Sequence, residues 1–243
     1  MTVSVSLLPA EFTRVATGDE HVAVIDAFRA STSIITALAN GAEKILPLST
    51  PEEARARFAA FSENKAVLCG ERGSIRIRGF TLGNSPKEYS REAVQDKIIL
   101  YTSTNGAQML NQAVYAPEVL VAGFVNCRAV VRRIARTPSS WVLACAGTNG
   151  HFSLEDAVCA GMIATRLIHL FHGKNPILND GAHAAMSLFR CYASNLIDMG
   201  KASQQGQILS SLGLEEDLTD CLAVDAYDLI PILHDGELKT DSE

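Results

Sequence analysis

The sequence predicts an α/β protein with a three-layer α/β/α architecture, in which helices cover both faces of a mostly parallel or mixed sheet. Two observations support this fold class. Short apolar, β-branched runs alternate with helical patterns over the first two thirds of the chain, and the pattern becomes mostly helical after residue 150. Strands that alternate with helices form βαβ units around a parallel sheet. We therefore expect a single domain over residues 1–243 with a helical C-terminal third; two lobes that meet near residues 140–150 are the alternative.

The elements follow from local patterns. Apolar runs predict strands, in chain order, at Val3–Leu7, Val22–Asp26, Lys44–Leu48, Ala66–Cys69, Lys97–Tyr101, Val119–Ala122 and Trp141–Ala146. Helical patterns lie at Ser31–Asn40, Pro51–Phe61, Asn105–Tyr115, Asn126–Arg136, Ser153–His172, Asp180–Met199 and Lys201–Leu212. Asn40-Gly41 is a typical helix end, and Thr50-Pro51 is a typical helix start. A last strand is expected within Asp225–Leu233, before a polar, frayed tail at residues 239–243.

Composition and charge narrow the classes of function. The chain carries 21 basic and 27 acidic residues, a formal net charge of −6. Nothing here creates the positive field that nucleic acid requires, so no nucleic-acid partner is expected. No window reaches the roughly 20 apolar residues of a membrane span, and no basic leader precedes an apolar stretch, so we expect a cytoplasmic protein without membrane contact. A homodimer is a base-rate expectation for a compact metabolic enzyme.

One tripeptide occurs twice in the same setting. Thr104-Asn105-Gly106 and Thr148-Asn149-Gly150 each follow an apolar strand and precede a helix. Such a junction directs backbone N–H groups outward at a helix start, where an anion is favoured. Ordinary helix capping explains a single copy equally well. Two copies indicate a shared pocket for a ligand with more than one negative group, and we expect all six residues to bind it.

A second candidate lies where an early strand ends. Asp26 closes an apolar run, and Arg29, Ser31 and Thr32 lead into the next helix. In parallel sheets, ligands bind beyond the carboxyl ends of the strands. Asp26 could hold a cation or attack as a nucleophile, Arg29 could grip two phosphate oxygens, and the hydroxyl groups could donate hydrogen bonds. The alternative is a structural Asp26–Arg29 ion pair with Ser31 as an ordinary N-cap.

Two further segments add acidic and basic groups. Glu155 closely follows the second junction, and a carboxylate beside an anion site is understandable if Mg²⁺ lies between them. The glycine-rich stretch from Gly70 to Ser90 is long for a loop and predicts a lid over a polyanion. We expect Asp26, Glu71 and Glu155 to hold Mg²⁺, and Arg72, Asn84 and Ser85 to bind the substrate.

Other classes of function remain open at this point. Cys145 and His151 could serve a cysteine-dependent hydrolase, although Cys145 lies within an apolar run and the chain has no identifiable orienting residue. A non-catalytic binding protein for small anionic metabolites would need the same pocket. The six cysteines show no C-x-x-C spacing and are expected to be reduced.

Together these motifs resemble the 2-phosphosulfolactate phosphatase family. The resemblance rests on residues 25–32, 70–73, 79–86, 104–106, 146–150 and 153–156, with Val224–Asp228 and Pro231 near the end. It implies an α/β/α fold and a Mg²⁺-dependent phosphatase that converts 2-phosphosulfolactate, a small anionic phosphoester, to sulfolactate and phosphate in coenzyme M biosynthesis. Asp26, Arg29 and Glu155 are then the expected catalytic residues. Either metal-bound water or Asp26 itself would attack the phosphorus atom.

Overall fold

The computed structural model describes residues 1–15, 18–62, 64–137, 139–171 and 176–240. Its strands are β1 (Thr2–Ser6), β2 (His21–Ile25), β3 (Lys44–Pro47), β4 (Ala66–Arg72), β5 (Ile75–Arg76), β6 (Ile98–Thr102), β7 (Val119–Ala122), β8 (Trp141–Cys145), β9 (Ile177–Leu178), β10 (Pro231–His234) and β11 (Glu237–Thr240). Its helices are α1 (Pro9–Val15), α2 (Ala30–Ala39), α3 (Pro51–Phe58), α4 (Arg91–Val94), α5 (Gly106–Ala113), α6 (Cys127–Arg136), α7 (Leu154–Phe171), α8 (Asp180–Tyr192), α9 (Leu196–Ala202), α10 (Gln204–Ser211) and α11 (Glu216–Cys221).

The strands form one mixed sheet in the order β5-β4-β6-β3-β11-β10-β7-β2-β8-β1-β9. One parallel group contains β4, β6 and β3, and a second contains β7, β2, β8, β1 and β9. The antiparallel hairpin β10–β11 joins the two groups, because β10 pairs with β7 and β11 pairs with β3. The last strands of the chain therefore complete the middle of the sheet.

Side-chain alternation along the strands divides the interior into cores. On β2, Val24 packs into a core with Ile35 of α2, Ile99 of β6 and Leu110 of α5. The neighbouring Ile25 faces a second core, which α6, α7 and α8 cover. A third, smaller core lies under α3. Helices thus cover both faces of the sheet, and the predicted α/β/α fold class is confirmed.

The helix α2 packs on one face of the sheet, against β7 and β10 in its middle. Every residue from Ala30 to Leu38 is buried, and the segment carries no charged side chain. A helix that is buried on all sides must pack between layers rather than on a surface. Its small residues allow close approach to the strands, and its start fixes the loop after β2. This loop becomes the centre of the site.

The C-terminal third differs from the prediction at several points. The expected helix Asp180–Met199 is two helices, because Asn195 begins α9 by accepting a hydrogen bond from the backbone N–H of Asp198. The expected strand within Asp225–Leu233 begins only at Pro231. Before that point the chain bonds to the residues that precede and begin α6, where the backbone N–H of Asp225 donates to the carbonyl of Phe124.

The prediction of a frayed tail is wrong for residues 239 and 240. They belong to β11, and the fully buried Leu238 anchors this strand. His172, the expected end of the long helix, and residues 241–243 lie outside the described part of the chain. Within the part that the structure describes, no helix has the length and apolar character needed to cross a bilayer.

Candidate active site

Loops from both parallel groups meet in one polar cleft of about 490 Å³, a volume that includes its open mouth. Its lining combines the loops after β2, β4, β5, β6 and β8 with helix α10. The lining residues are Asp26, Phe28, Arg29, Glu71, Gly73, Ser74, Asn84, Thr104, Asn105, Thr148, Asn149, Gln205 and Ile208. Eight of the residues predicted from sequence therefore share one cleft: Asp26, Arg29, Glu71, Asn84, Thr104, Asn105, Thr148 and Asn149.

Asp26 is held at the end of β2 by the first turn of α2. Its backbone N–H donates to Ser31 Oγ at 3.0 Å, and its Oδ1 accepts from the backbone N–H of Ala30 at 3.4 Å. Burial, followed by repulsion from Glu71 and Glu155, raises the pKa of Asp26 to about 7. Ser31 is buried outside the lining of the cleft, and its hydroxyl group positions Asp26.

Glu71 connects two loops through its carboxylate. One oxygen accepts from the backbone N–H of Ser74 at 2.8 Å, and the other accepts from the backbone N–H of Thr104 at 2.7 Å. The side chain therefore fixes the loop after β4 against the first Thr-Asn-Gly junction. It also places a second carboxylate in the cleft beside Asp26.

Asp156 makes a comparable connection, which the sequence analysis missed. Its Oδ1 accepts from the backbone N–H of Ala27 at 2.8 Å, and its Oδ2 accepts from that of Gly147 at 3.0 Å. It thereby ties the end of β2 to the end of β8. Burial and the nearby Asp26 raise the pKa of Asp156 well above its usual value. Asp156 lies within residues 153–156, which contributed to the family resemblance, but we assigned it no role of its own.

Glu155 lies behind the cleft and is not part of its lining. The residue is 2 % exposed, and burial raises the pKa of its carboxyl group. Its charge nevertheless acts on Asp26, whose pKa it raises.

Arg29 does not have the free guanidinium that we expected. Its Nη1 donates to Asp217 Oδ2 at 2.7 Å, and its Nη2 donates to the carbonyl of Ser74 at 2.7 Å. The residue is 2 % exposed, and Nε has no hydrogen-bond partner among the described residues. Each terminal nitrogen therefore uses one of its N–H groups within the protein, and the remaining N–H groups, including that of Nε, stay available for a ligand oxygen. The ion pair exists, but with Asp217 rather than with Asp26.

The two Thr-Asn-Gly junctions contact each other directly. The backbone N–H of Asn149 donates to Asn105 Oδ1 at 2.9 Å. The N–H groups of Thr104 and Thr148 also have protein acceptors, Glu71 and the carbonyl of His151. The expectation that these N–H groups point freely at an anion is thus not met. Polar side chains of the junctions line the cleft instead.

The glycines of the junctions have different surroundings. A Cβ atom on Gly106 would lie 2.8 Å from Asp26 Oδ2 and 2.8 Å from the Cβ of Ala30. The absence of a side chain at Gly106 therefore lets Asp26 take its position. Gly150 has φ +79°, and a Cβ there would meet nothing within 4 Å. It serves the turn rather than the cleft.

The remaining predicted residues surround the cleft. Ser85 Oγ donates to Asp217 Oδ1 at 2.6 Å, and Thr32 Oγ1 donates to the carbonyl of Ala27 at 3.4 Å. Arg72 is not part of the lining of the cleft. Its guanidinium donates to Thr102 Oγ1 and to the backbone carbonyls of Ser49 and Glu71. These three side chains support the loops that form the site.

Helix α10 forms one wall of the cleft, which no sequence pattern indicated. Gln205 and Ile208 line the cleft, and Gln205 Nε2 donates to Ser74 Oγ at 2.8 Å. No motif marks these residues, because their role depends on how the helical third packs against the loop after β4. The same holds for Asp217, which lies 188 positions from its partner Arg29.

The geometry does not favour a cysteine-dependent hydrolase. Cys145 is 0 % exposed, and burial raises the pKa of its thiol well above the usual value. A nucleophilic cysteine needs an accessible thiolate. His151 is exposed, and its backbone only closes the turn with Thr148.

The negative charge of the carboxylates in and around the cleft suits a hard cation. Asp26 and Glu71 line it, Glu155 and Asp156 lie buried nearby, and the buried Arg29 is already neutralised by Asp217. Buried like charges of this kind are stabilised by a bound cation or by protons. Within the described ranges, however, no three His, Cys, Asp or Glu side chains converge as a ready-made ligand set. Two carboxylates plus substrate oxygens and waters still fit the usual Mg²⁺ coordination.

Comparison with known proteins identifies the class. A protein of Caldanaerobacter subterraneus subsp. tengcongensis named "Probable 2-phosphosulfolactate phosphatase" is 38% identical over 225 residues, covering 93% of this chain and 92% of that protein. Proteins with the same name from Thermotoga maritima and Symbiobacterium thermophilum are each 39% identical, covering 88% of this chain and 88% and 91% of their own lengths. The fold, the acidic cleft and these relatives define a phosphoric monoester hydrolase.

The particular group follows from a family model. The model described as 2-phosphosulpholactate phosphatase matches residues 7–236, nearly the whole chain. The chain belongs to this family, and the resemblance inferred from its motifs is confirmed.

Proposed function

We propose that this protein hydrolyses 2-phosphosulfolactate, or a related small phosphorylated hydroxy acid, to sulfolactate and phosphate, and that it requires Mg²⁺. The observation that carries the proposal is the meeting of Asp26, Glu71 and both Thr-Asn-Gly junctions in one small cleft. The names of the relatives indicate the substrate. The proposal also includes a role in coenzyme M biosynthesis, a cytoplasmic location and a homodimer.

Asp26 and Glu71 would hold the metal ion. The negative charge of Glu155, which is buried behind the cleft, would attract the ion electrostatically. When bound, Mg²⁺ would neutralise phosphoryl oxygens and lower the barrier to attack at phosphorus. The side chains of Thr104, Asn105, Thr148 and Asn149 would donate to the anionic groups of the substrate and orient it. Arg29 would brace the loop after β4 through its bond to Ser74, and its remaining N–H groups would stabilise negative charge on the phosphoryl oxygens. Ile208 and Phe28 would exclude water from one side.

The nucleophile is either water or the Asp26 carboxylate, and stereochemistry at a chiral phosphorus separates the two. Direct attack by water inverts the configuration at phosphorus. A phospho-aspartate intermediate retains it, because two displacements occur in sequence.

A panel of phosphorylated hydroxy acids tests the function. Phosphate release is measured with Mg²⁺, and again after EDTA treatment. We expect release with Mg²⁺, its loss with EDTA, and its recovery when Mg²⁺ is added back. Asp26→Asn should fold and release no phosphate, whereas Cys145→Ala should remain active. Binding of the panel without turnover would instead identify a non-catalytic binding protein.

A further inference from the structure

Asn84 is fixed at the edge of the cleft by two hydrogen bonds. Its backbone carbonyl accepts from Ser33 Oγ of α2 at 2.9 Å. Its side-chain Oδ1 accepts from the hydroxyl of Tyr101, which lies on β6. The residue is 5 % exposed and belongs to the lining of the cleft. Both the position and the orientation of the amide are therefore determined by groups outside the cleft.

The direction of the Tyr101 hydrogen bond decides which end of the amide meets a ligand. Tyr101 is 0 % exposed, and burial raises the pKa of its phenol well above the usual value, so the hydroxyl remains a donor. Because Oδ1 of Asn84 accepts this proton, the NH₂ group is the other end of the amide and keeps both of its donors. No described residue accepts from it. An NH₂ group at the rim of an acidic cleft offers two donors to an anionic oxygen without adding a charge.

We propose that Tyr101 is a positioning residue for substrate binding: it holds the Asn84 amide so that its NH₂ group donates to an anionic oxygen of the substrate. This inference rests on the proposed phosphatase function and deepens it. Tyr101 itself does not line the cleft. Its role is therefore indirect and depends on Asn84.

The neighbouring Tyr89 provides a matched control. Its hydroxyl donates to the backbone carbonyl of Gly83 at 2.7 Å, one residue before Asn84, and its side chain is 1 % exposed. Tyr89→Phe removes a buried hydroxyl from the same segment without changing the Asn84 amide. Any effect that is merely structural should appear in both tyrosine variants.

The test compares Tyr101→Phe, Tyr89→Phe, Asn84→Ala and the double variant Tyr101→Phe/Asn84→Ala in steady-state phosphate release. One net hydrogen bond corresponds to roughly a 3- to 10-fold effect, so we expect Tyr101→Phe to raise KM by about that factor with kcat within about twofold. Tyr89→Phe should leave both constants close to wild type. In the Asn84→Ala background, Tyr101→Phe should have no further effect on KM, because its target is gone.

Several outcomes would overturn the inference. Equal kinetic effects of the two tyrosine variants would reduce Tyr101 to a packing residue. Additive effects of Tyr101→Phe and Asn84→Ala would exclude the proposed contact. An unchanged KM in a folded Asn84→Ala variant would exclude it even if Tyr101→Phe fails to fold. If wild type releases no phosphate, the function proposal fails separately, and calorimetric binding of inorganic phosphate replaces KM. Absent binding, or equal binding by wild type and Tyr101→Phe, then overturns the inference.

Discussion

The buried pair Arg29–Asp217 should be one of the most costly interactions to break. Arg29 and Asp217 have side chains that are 2% and 3% exposed, with Nη1 and Oδ2 2.7 Å apart. Asp217→Asn preserves the shape and lets the amide bond to both Arg29 and Ser85, so it removes mainly the charge. Loss of one partner from a buried pair costs about 3–5 kcal/mol, and Coulomb's law at an effective dielectric constant of about 20 gives a comparable ~4 kcal/mol at 4 Å. We expect Asp217→Asn to lower the free energy of unfolding by about 3 kcal/mol, near the lower end of this range, because both hydrogen bonds can survive.

Urea unfolding, followed by the fluorescence of the single, fully buried Trp141, measures this loss. Variants are compared by their transition midpoints at a common slope. A thermodynamic cycle with Arg29→Met and the double variant should show coupling, because removing both charges leaves no buried ion unpaired.

The next residue supplies the control. Glu216 forms an ion pair with Lys87, but the side chain of Glu216 is 84% exposed and that of Lys87 is 47% exposed. Glu216→Gln should therefore leave the unfolding midpoint unchanged. The reasoning is refuted if Asp217→Asn loses less than about 1 kcal/mol, the range of surface pairs, or if the single variants simply add.

Two further predictions concern Asp26. Gly106→Ala should lower kcat/KM by at least about tenfold, because its Cβ would displace the Asp26 carboxylate, and misplacement by about 1 Å can cost that much or more. Gly123→Ala is the control, because its Cβ would meet its nearest atom at an ordinary 3.5 Å. Equal kcat/KM values for the two variants would contradict this role of Gly106. The pKa of Asp26 rises from 3.8 to about 7 on folding, so its stabilising contribution is present below pH 3.8 and is lost as the pH rises through 7. In EDTA-treated protein, thermal stability should decline more steeply between pH 4 and pH 7 in wild type than in Asp26→Asn, and identical pH profiles would argue against this assignment.

The sequence predicted the parallel strands well because each is a short apolar run bounded by polar turns. Val119–Ala122 has the predicted bounds, and β2 ends one residue before the predicted Asp26. The hairpin β10–β11 was harder to foresee. The polar residues of β11 form a strand only because β3 and β7 leave room between them for the hairpin. Local pattern contains no information about that gap.

The candidate site was predictable to a similar extent. Residues at strand ends, such as Asp26 and Asn105, share the cleft because parallel strands bring their carboxyl ends together. The hydrogen-bond and ion-pair partners of each side chain in the site were not predictable. Asp217 neutralises Arg29 from a helix far along the chain, and Glu71 uses the N–H group that we assigned to an anion. Such partners depend on tertiary packing, which a motif does not encode.

The position of the C-terminal hairpin has a consequence for synthesis. A ribosome releases β3 and β7 long before it reaches residue 231, so the nascent chain holds two half-sheets with open inner edges. Only residues 231–240 provide the strands that pair with both edges. A chain that stopped before residue 231 would therefore contain every cleft residue yet could not close its sheet.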